Sequence, residues 1–265
     1  MAKRGTMPVH CVIPAKGTSL GIAEKNLQTI AGQSLLSITL RYANSLPTCS
    51  NIVISTESLA VLKETCQILQ VESPSLDLIY EGSIHKLCDR FWIHRRMPRH
   101  ASSEAKTIEF LPQILTQLGA LQSDSLLLLQ PTSPFRDIEE FDLLQSLFES
   151  VDSVVSAKLF DSPHPAKKVR IDKKGNLVQE EHVVGNLSMP RQRLVEYYVL
   201  DGAFYLTNCS TVLVDNTLIG KKTKLMIRSG VKTINIDNHD DLDIARSLVE
   251  SGRVHLPESS KGLNC

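Results

Sequence analysis

The chain has 265 residues, of which 42% are apolar and 22% are charged. These values are typical of globular proteins and exclude a disordered chain, which has too little apolar surface to offset the entropy of ordering. The 29 basic and 29 acidic residues cancel, so no overall positive field exists to drive nonspecific nucleic-acid binding. At roughly 100–200 residues per domain the length suits one large or two small domains. The absence of internal repeats and long linkers favours a single domain over residues 1–265.

Cysteine usage and hydropathy predict the cellular compartment. The six cysteines are scattered, with no C-x-x-C and no metal-finger spacing, which favours mostly buried, inert thiols in a reducing compartment. The first residues carry charge but lack the apolar segment of a signal peptide. The longest purely aliphatic run covers residues 126–129, whereas a membrane helix needs about 20 residues. We therefore expect a cytoplasmic protein with no membrane or nucleic-acid partner.

Short apolar runs alternate with helical patterns along the first 160 residues. Periodicity predicts strands at 9–13, 51–55, 125–129 and 152–157, and helices at 35–43, 59–69 and 138–148. The stretch 72–99 has no clear period. This alternation predicts an α/β fold in which helices cover both faces of a parallel sheet. Ligands of such sheets bind beyond the carboxyl ends of the strands, where this chain has its polar, Gly- and Pro-bearing segments.

The pattern changes between about residues 161 and 200. Two β-like pieces at 168–171 and 177–178 flank a turn at 172–176, and many basic residues surround them. We interpret this region as an excursion from the main sheet and a candidate dimerisation arm. Because closed two-fold dimers are the commonest oligomers, we expect a homodimer. Returning strands are predicted at 203–206 and 233–236, and a closing helix at 240–250.

The loop after the first strand is the first candidate site. Residues 13–26 read I-P-A-K-G-T-S-L-G-I-A-E-K-N. Glycines allow backbone N–H groups to surround an anion, and Lys16 and Lys25 would add positive charge. The segment is neither a Walker A loop nor a G-x-G-x-x-G motif. From composition alone, a strand-to-helix loop with two solvated lysines is an equally good interpretation.

Residues 129–136, L-Q-P-T-S-P-F-R, directly follow the strand predicted at 125–129. Gln130 would lie at the carboxyl end of that strand, where its amide can both donate to and accept from a sugar. Physics alone favours a simpler interpretation, in which the segment is a helix entry capped by Ser133 or Asp137.

Residues 234–242, I-N-I-D-N-H-D-D-L, are the third candidate. Period-two alternation puts Asn235 and Asp237 on the same face of a strand. Two oxygen ligands on one face suit Mg²⁺, which binds through carboxylates, substrate phosphates and retained water. A helix N-terminus rich in acids is the alternative; it accounts for Asp240 and Asp241 but less well for Asp237.

Two groups of basic residues could recognise anions, because guanidinium groups match phosphate and carboxylate geometry. Such clusters are more often solvated surfaces, and only a position near the strand ends would make them a site. Their members are Arg95, Arg96 and Arg99 in the first group, and Lys167, Lys168, Arg170, Arg191 and Arg193 in the second.

Taken together, the chain resembles the CMP-sialic acid synthetases, or acylneuraminate cytidylyltransferases, from about residue 9 to 249. Each motif is weak alone, but five in the family's order form a specific signal. The resemblance implies a Rossmann-like, three-layer nucleotidyltransferase domain and a homodimer with exchanged arms. It also implies a Mg²⁺-dependent reaction of CTP with a nine-carbon α-keto sugar acid, giving a CMP-sugar and pyrophosphate for surface-glycan or lipopolysaccharide synthesis. The motifs lie at 13–26, 129–134, 190–192, 202–205 and 234–242.

The resemblance also implies roles for individual residues. The expected nucleotide-binding residues are Ala15, Lys16, Gly17, Ser19, Lys25, Asn26, Arg96, Ala105 and Thr107. The expected sugar-binding residues are Gln130, Lys167, Arg191 and Tyr205. Asp237 and Asn235 would form the metal site, and Lys16, Lys25 and Asp237 would act in catalysis.

Several positions depart from the family pattern. Lys16 stands where Arg is usual, and Asn235 replaces the first Asp of the closing motif. Leu20 replaces a common Lys, and Val199 falls where some members have Arg. Two alternatives therefore stay open, an eight-carbon (Kdo) synthetase and a decayed paralogue that binds CTP without turnover. The P-R-Q and G-A-F-Y segments favour the nine-carbon class.

Overall fold

A computed structural model describes residues 7–102, 104–160, 164–179, 190–258 and 263. The strands are β1 Val9–Pro14, β2 Thr29–Ile30, β3 Gln33–Ser34, β4 Cys49–Thr56, β5 Ile84–Cys88, β6 Phe91–Arg95, β7 Ser125–Leu128, β8 Ser153–Leu159, β9 Val169–Ile171, β10 Leu177–Gln179, β11 Tyr198–Asn208 and β12 Thr223–Arg228. The α-helices are α1 Leu35–Ser45, α2 Leu59–Leu69, α3 Leu111–Gln117, α4 Ile138–Phe148, α5 Cys209–Leu213 and α6 His239–Glu250.

An eight-stranded sheet in the order β12-β8-β11-β7-β1-β4-β6-β5 forms the centre of the molecule. Its strands pair in parallel except β11 and β5, which are antiparallel to their neighbours. Beside β1, Ile13 is in register with Ile54 of β4, and Val12 with Leu128 of β7. The predicted α/β fold with a mostly parallel sheet is confirmed.

The order of the strands creates a crevice beside β1. The chain proceeds from β1 to β4 and β6 on one side, then returns to β7 on the other side of β1. At such a reversal the loops after the two neighbouring strands diverge, and ligands bind between them. The crevice therefore lies between the loops that follow β1 and β7.

Helices cover both faces of the sheet, as the period-two pattern of β1 requires. Cys11 and Ile13 belong to an apolar cluster with residues of α1, α2 and α4. Val12 points to the opposite face and joins a cluster with residues of α3 and α5. Because every residue of β1 except its last is buried, the strand rigidly supports the loop that follows it.

A third apolar cluster fixes α6 beside the crevice. Leu242 and Ala245 of α6 are buried together with Ile236 and Ile22. The helix starts at Asn238, whose side chain accepts a hydrogen bond from the backbone N–H of Asp241 at 2.9 Å in a capping box. Asp241 therefore acts in helix capping, as the alternative interpretation of this motif predicted.

One sequence-based prediction of secondary structure was wrong, and three strands of the main sheet, β5, β6 and β12, were not predicted. Residues 233–236 are not a strand, because the chain runs from the short 3₁₀ turn Val231–Thr233 into an unpaired extended segment. The edge of the sheet is instead β12. Its pattern was obscured because Arg228, a charged residue, is buried there beside apolar Met226. The region 72–99, which had no readable period, contains the β5–β6 hairpin.

The predicted excursion contains a small sheet of its own. Strands β9 and β10 pair only with each other and do not join the main sheet. Ile171 and Leu177 on this hairpin are 77% and 60% exposed. Residues 161–163 and 180–189 of the predicted arm lie outside the described part of the chain. The arm's role in dimerisation and the single-domain organisation stay predictions.

Four cysteines, Cys11, Cys49, Cys66 and Cys209, are buried free thiols. Burial raises the pKa of Cys209 to about 12, which keeps that thiol protonated and unreactive. Cys88, by contrast, is disulfide-bonded. Within the described residues, no helix has both the length and the apolar character of a membrane span.

Candidate functional site

A cleft of about 400 Å³ opens at the carboxyl ends of β1 and β7. It brings together residues from the loop after β1, the segment between β6 and α3, the loop after β7 and the segment before α6. The predicted site residues that line it are Lys16, Ser19, Lys25, Asn26, Arg96, Ala105, Thr107, Gln130 and Asp237. Segments more than two hundred residues apart in sequence thus form one concave surface.

Hydrogen bonds within the loop after β1 and to the end of the neighbouring strand β4 fix the shape of this loop. Asn26 is buried and donates its amide N–H to the carbonyl of Lys16 at 2.8 Å, which closes the loop on itself. The backbone N–H of Gly17 donates to Glu57 Oε1 at 2.7 Å, and that of Ala15 donates to the carbonyl of Ser55 at 2.9 Å. Ala15 and Gly17 therefore shape the loop and do not line the cleft.

Two lysines bring positive charge to the cleft. Lys25 donates to the carbonyl of Ile236 and to Asp237 Oδ1, both at 3.1 Å. The Lys16 ammonium group forms no hydrogen bond or ion pair with any other described residue, so it remains available to a ligand. Because Lys25 is fixed and Lys16 is free, only Lys16 can follow a bound anion without breaking a contact.

Asp237 is the carboxylate of the cleft and is 67% exposed at its side chain. The amide N–H of Asn235 donates to Asp237 Oδ2 at 2.7 Å, and the amide oxygen of Asn235 accepts from the Ser133 hydroxyl at 3.2 Å. Asn235 was predicted to offer a second metal-binding oxygen. The Ser133 hydroxyl shares its one proton between Asn235 Oδ1 and the carbonyl of Asp201, and the Asn235 amide N–H orients Asp237. The metal-binding role of Asn235 stays a prediction.

The side chains around Asp237 suit one kind of metal site. In the part of the chain that the structure describes, no three His, Cys, Asp or Glu side chains converge to hold a metal ion. A cage made only of protein ligands is therefore absent from these residues. Mg²⁺ typically binds one or two carboxylates, keeps several waters and takes its other ligands from substrate phosphates. The single exposed carboxylate of Asp237, beside two lysines, fits that mode.

Close backbone contacts join the three segments around Asp237. A Cβ atom added to Gly21 would lie 2.1 Å from the carbonyl oxygen of Asp237, so only glycine fits there. The N–H of Ile236 donates to the carbonyl of Thr132 at 2.8 Å. The loops after β1 and β7 are thus both attached to the segment that carries Asp237.

Gln130 faces the cleft with an unengaged side-chain amide. Its amide forms no hydrogen bond with other described residues, and it is half-buried. Gly202 of β11 has φ +75°, and a Cβ there would lie 2.4 Å from Gln130 Oε1. Gly202 therefore provides both the left-handed backbone and the space that the Gln130 side chain occupies.

Buried arginines that sequence reasoning missed support the loop after β7. Arg136 donates from Nε to the carbonyl of Ala203 at 2.9 Å and from Nη2 to the carbonyl of Gln130 at 2.7 Å. Burial lowers the pKa of Arg136 to about 10, so it remains charged near neutral pH. Arg136 closes the L-Q-P-T-S-P-F-R motif, and this position next to Gln130 was the available signal.

Arg228 forms buried ionic contacts with two carboxylates. Its guanidinium lies 2.8 Å from Asp201 Oδ2 and 2.7 Å from Glu140 Oε1. Burial acts to lower the pKa of Arg228, but hydrogen bonds and charge from Glu140 and Asp201 outweigh it and leave the pKa raised. Asp201 also accepts at its carbonyl from the Ser133 hydroxyl at 2.7 Å. The network thus connects β11, β12 and α4 to the loop after β7.

Two of the predicted sugar-binding residues, Lys167 and Tyr205, do not line the cleft. Lys167 is exposed on the 3₁₀ turn Pro165–Lys167. Tyr205 packs on the apolar cluster beneath α3 and α5, and burial raises its pKa. Arg191 begins the turn Arg191–Arg193, and its side chain lies outside the described part of the structure.

An adjoining groove of about 680 Å³ shares Asp237 with the cleft. Lys158 is its one basic residue among the described residues that line it, and its ammonium donates to the carbonyl of Thr233 at 3.2 Å. Val199, where some relatives in the resembled family have an arginine, also lines this groove. Asp237 therefore lines both the cleft and the groove.

Comparison with solved structures identifies the fold. The structure of CMP:2-keto-3-deoxy-manno-octonic acid synthetase complexed with CTP matches with a TM-score of 0.59 and 13% identity, covering 92% of this chain and 99% of that one. The protein therefore has the fold of nucleotidyltransferases.

Sequence comparisons show which proteins this chain is similar to. The family model described as cytidylyltransferase matches residues 10–72. The CMP-N,N'-diacetyllegionaminic acid synthase of Legionella pneumophila is 26% identical over 247 residues, which is 92% of this chain and 97% of that relative. The N-acylneuraminate cytidylyltransferase of Streptococcus agalactiae serotype III is 24% identical over 235 residues, and the chain spans only 51% of its length. Over most of its length the chain is thus similar, at 26% identity or less, to relatives named as synthases of CMP-activated nine-carbon sugar acids.

Proposed function

We propose that this protein is a CTP-dependent cytidylyltransferase that activates a nine-carbon α-keto sugar acid, either N-acetylneuraminic acid or a legionaminic or pseudaminic relative. The observation that carries the proposal is a single cleft that joins the loop after β1, Arg96, Gln130 and Asp237. The relatives named for diacetyllegionaminic acid and N-acylneuraminate support the nine-carbon class. The Kdo-type alternative rests on likeness of fold alone, which does not determine function.

The charges of the cleft match a nucleoside triphosphate. Arg96 is only 4% exposed, and its guanidinium carbon lies 4.5 Å from the centre of the Phe110 ring on the wall that includes Ala105 and Thr107. Burial lowers the pKa of Arg96 to about 10, so it remains a cation at neutral pH. A buried cation is costly unless an anion approaches it. The nucleotide would lie against this wall, with its phosphates toward Lys16 and Lys25.

Asp237 would hold Mg²⁺ together with the phosphates of CTP, and the ion would neutralise phosphate charge. The Lys25 ammonium has three protons, of which two are used on Ile236 and Asp237, so one remains for a phosphate oxygen. Asn235 keeps the Asp237 carboxylate oriented in the absence of ligand. Together these residues would fix the triphosphate before the second substrate arrives.

The reaction is an in-line displacement at phosphorus. The C2 hydroxyl of the sugar acid attacks the α-phosphorus and releases its proton to solvent water, while the bond to the bridging oxygen breaks and pyrophosphate leaves with that electron pair. Catalysis comes from positioning and charge stabilisation, to which Lys16 and Lys25 contribute. We assign the sugar acid to the space between Gln130 of the cleft and the groove beside Asp237, where Lys158 supplies a cation for its carboxylate.

Pyrophosphate release tests this function. We expect release only when CTP, a nonulosonic acid and Mg²⁺ are all present, with each omission as a control. The panel contains N-acetylneuraminic, legionaminic, pseudaminic and Kdo acids. Release with Kdo alone would favour the eight-carbon class, whereas CTP binding in calorimetry without release from any acid would indicate a decayed paralogue. Either result would overturn the proposal.

We also propose that the product serves surface-glycan or lipopolysaccharide synthesis and that the enzyme works in the cytoplasm. A CMP-sugar is an activated donor, so the class of reaction that consumes it is glycosyl transfer. Deletion of the gene in its host should remove nonulosonic acid from surface polysaccharide, as measured by acid release and chromatography. An unchanged surface composition would contradict this assignment.

A further inference from the structure

We propose that Ser55 and His94 are positioning residues for the nucleotide, because together they hold the Arg96 guanidinium with one edge free toward the cleft. The inference rests on the proposed function, in which the nucleotide occupies this cleft. Neither residue lines the cleft itself. Both act through Arg96, and neither belongs to the motifs that carried the family resemblance.

Ser55 contacts Arg96 twice. Arg96 Nη2 donates to the Ser55 carbonyl at 2.9 Å, and Nε donates to the Ser55 hydroxyl oxygen at 3.2 Å. Nη1 forms no hydrogen bond with any other described residue, and Arg96 lines the cleft. Two of the three guanidinium nitrogens are thus fixed to the end of β4, which leaves the Nη1 edge for a ligand.

His94 orients the Ser55 hydroxyl. Its Nδ1 lies 2.9 Å from Ser55 Oγ, and both side chains are fully buried. A hydroxyl that accepts from Arg96 can donate its own proton to a neutral imidazole nitrogen. Burial and the Arg96 charge lower the pKa of His94 to about 3, so the imidazole is neutral throughout the physiological range. Arg96 therefore donates to the Ser55 hydroxyl, and that hydroxyl donates to His94, so the two hydrogen bonds are compatible.

Phe110 fixes the plane of the Arg96 guanidinium group. Its ring is stacked with the His94 ring at 5.7 Å and an angle of 26°, and the Arg96 guanidinium lies over it at 4.5 Å. Arg96 is thus held by two hydrogen bonds at one edge and by an aromatic face below. A guanidinium preorganised in this way loses little freedom when it binds a nucleotide.

Substitutions of Ser55 and His94 test this proposal by calorimetric CTP binding and steady-state kinetics. Ser55→Ala should raise the CTP dissociation constant and the KM for CTP about tenfold, with the KM for the sugar acid unchanged. The matched control is Ser153→Ala, which removes another fully buried, hydrogen-bonded serine, on β8 away from Arg96. The control should leave CTP binding within twofold of wild type.

Two variants of His94 provide a second, independent test if Ser55→Ala folds poorly. Asparagine can place an acceptor near the position of Nδ1, so His94→Asn should retain most of the CTP affinity, whereas His94→Leu should lose it about as Ser55→Ala does. Equal affinities in His94→Asn and His94→Leu would contradict the proposal.

A double-mutant cycle separates positioning from general destabilisation. In an Arg96→Ala background, Ser55→Ala should change the CTP dissociation constant less than twofold, because the group that it positions is gone. A tenfold loss in both backgrounds would show that Ser55 acts independently of Arg96 and would overturn the inference. Wild-type protein that binds no CTP would overturn the proposed function and this inference together, whereas normal binding by folded Ser55→Ala would overturn the inference alone.

Discussion

Asp237 accepts hydrogen bonds from Lys25 and Asn235, and it is the carboxylate that we propose as the ligand of Mg²⁺. We expect Asp237→Ala to nearly abolish turnover while leaving the melting temperature almost unchanged, because an exposed carboxylate contributes little to the core. Steady-state rates and thermal unfolding measure the two effects. Near-normal turnover at ordinary Mg²⁺ concentrations would show that the metal assignment is wrong.

Asn235→Asp, two residues before Asp237, should strengthen Mg²⁺ binding. A second carboxylate would replace an amide whose oxygen accepts a hydrogen bond from Ser133 and would strengthen attraction for a cation. We expect the Mg²⁺ concentration for half-maximal rate to fall by a factor that corresponds to about 1–2 kcal/mol, because Coulomb attraction is strongly screened at an exposed site. A Mg²⁺ titration of both proteins measures the shift, and an unchanged or higher requirement would contradict it.

His94 should make stability depend on pH in the acid range. Its pKa is lowered to about 3 in the folded protein, compared with about 6.5 in an unfolded chain. Between these values the unfolded state binds one more proton, so the free energy of unfolding falls as pH decreases below about 6.5, with a slope of about 1.4 kcal/mol per pH unit. His94→Asn should show a slope smaller by about one proton, measured by urea unfolding between pH 5 and 7. Identical slopes would refute the prediction.

Sequence reasoning found the residues that belong to short motifs and missed those that act through distant contacts. Lys25 and Asp237 could be predicted because each lies in a recognisable segment. Ser55 could not, because its importance depends on Arg96, which is 41 residues away along the chain. The spacing indicated that Asn235 lies beside Asp237, as it does, but its hydrogen bond to Ser133 could not be read from sequence spacing.

At the scale of elements, the contact between β11 and the loop after β7 depends on one glycine. Gly202 combines φ +75° with a close approach to Gln130, whereas Gly119 has φ +67° and open space around its Cα. Ala at either position should lower the free energy of unfolding by about 1 kcal/mol because of the left-handed backbone. Only Gly202→Ala should also displace Gln130 and raise the KM for the sugar acid. Equal kinetic effects in the two variants would contradict this role for Gln130.

Elements were predictable where apolar residues recur at a regular period, and not where charge is buried. The helix Ile138–Phe148 was predicted with the bounds that the structure has. Strand β12 was missed because Arg228 is stabilised inside the protein by Asp201 and Glu140, which no local pattern reveals. The segment 233–236 alternates like a strand, but it faces Lys25 and the loop after β7 and pairs with no strand.

At the scale of the whole molecule, the exposed apolar residues of the β9–β10 hairpin and the start of β11 suggest a partner surface. Ile171, Leu177 and Tyr198 are 77%, 60% and 41% exposed. We expect these surfaces to pack against a second copy of the chain, since symmetric dimers are the commonest assembly. Sedimentation equilibrium at micromolar concentration should give twice the chain mass, and Ile171→Lys together with Leu177→Lys should shift it toward monomer. A monomeric wild type would contradict the expected homodimer.

The ion pair between Lys25 and Asp237 also has a consequence for folding. Its partners are separated by 212 residues, so the entropy of closing a long loop must be overcome before the contact can form. Non-local pairings of this kind develop late, after local helices and neighbouring strands. A chain emerging from the ribosome would complete β1 and its loop long before α6 exists. Nucleotide affinity is therefore a property of the finished chain, and the early-folding half has no binding cleft of its own.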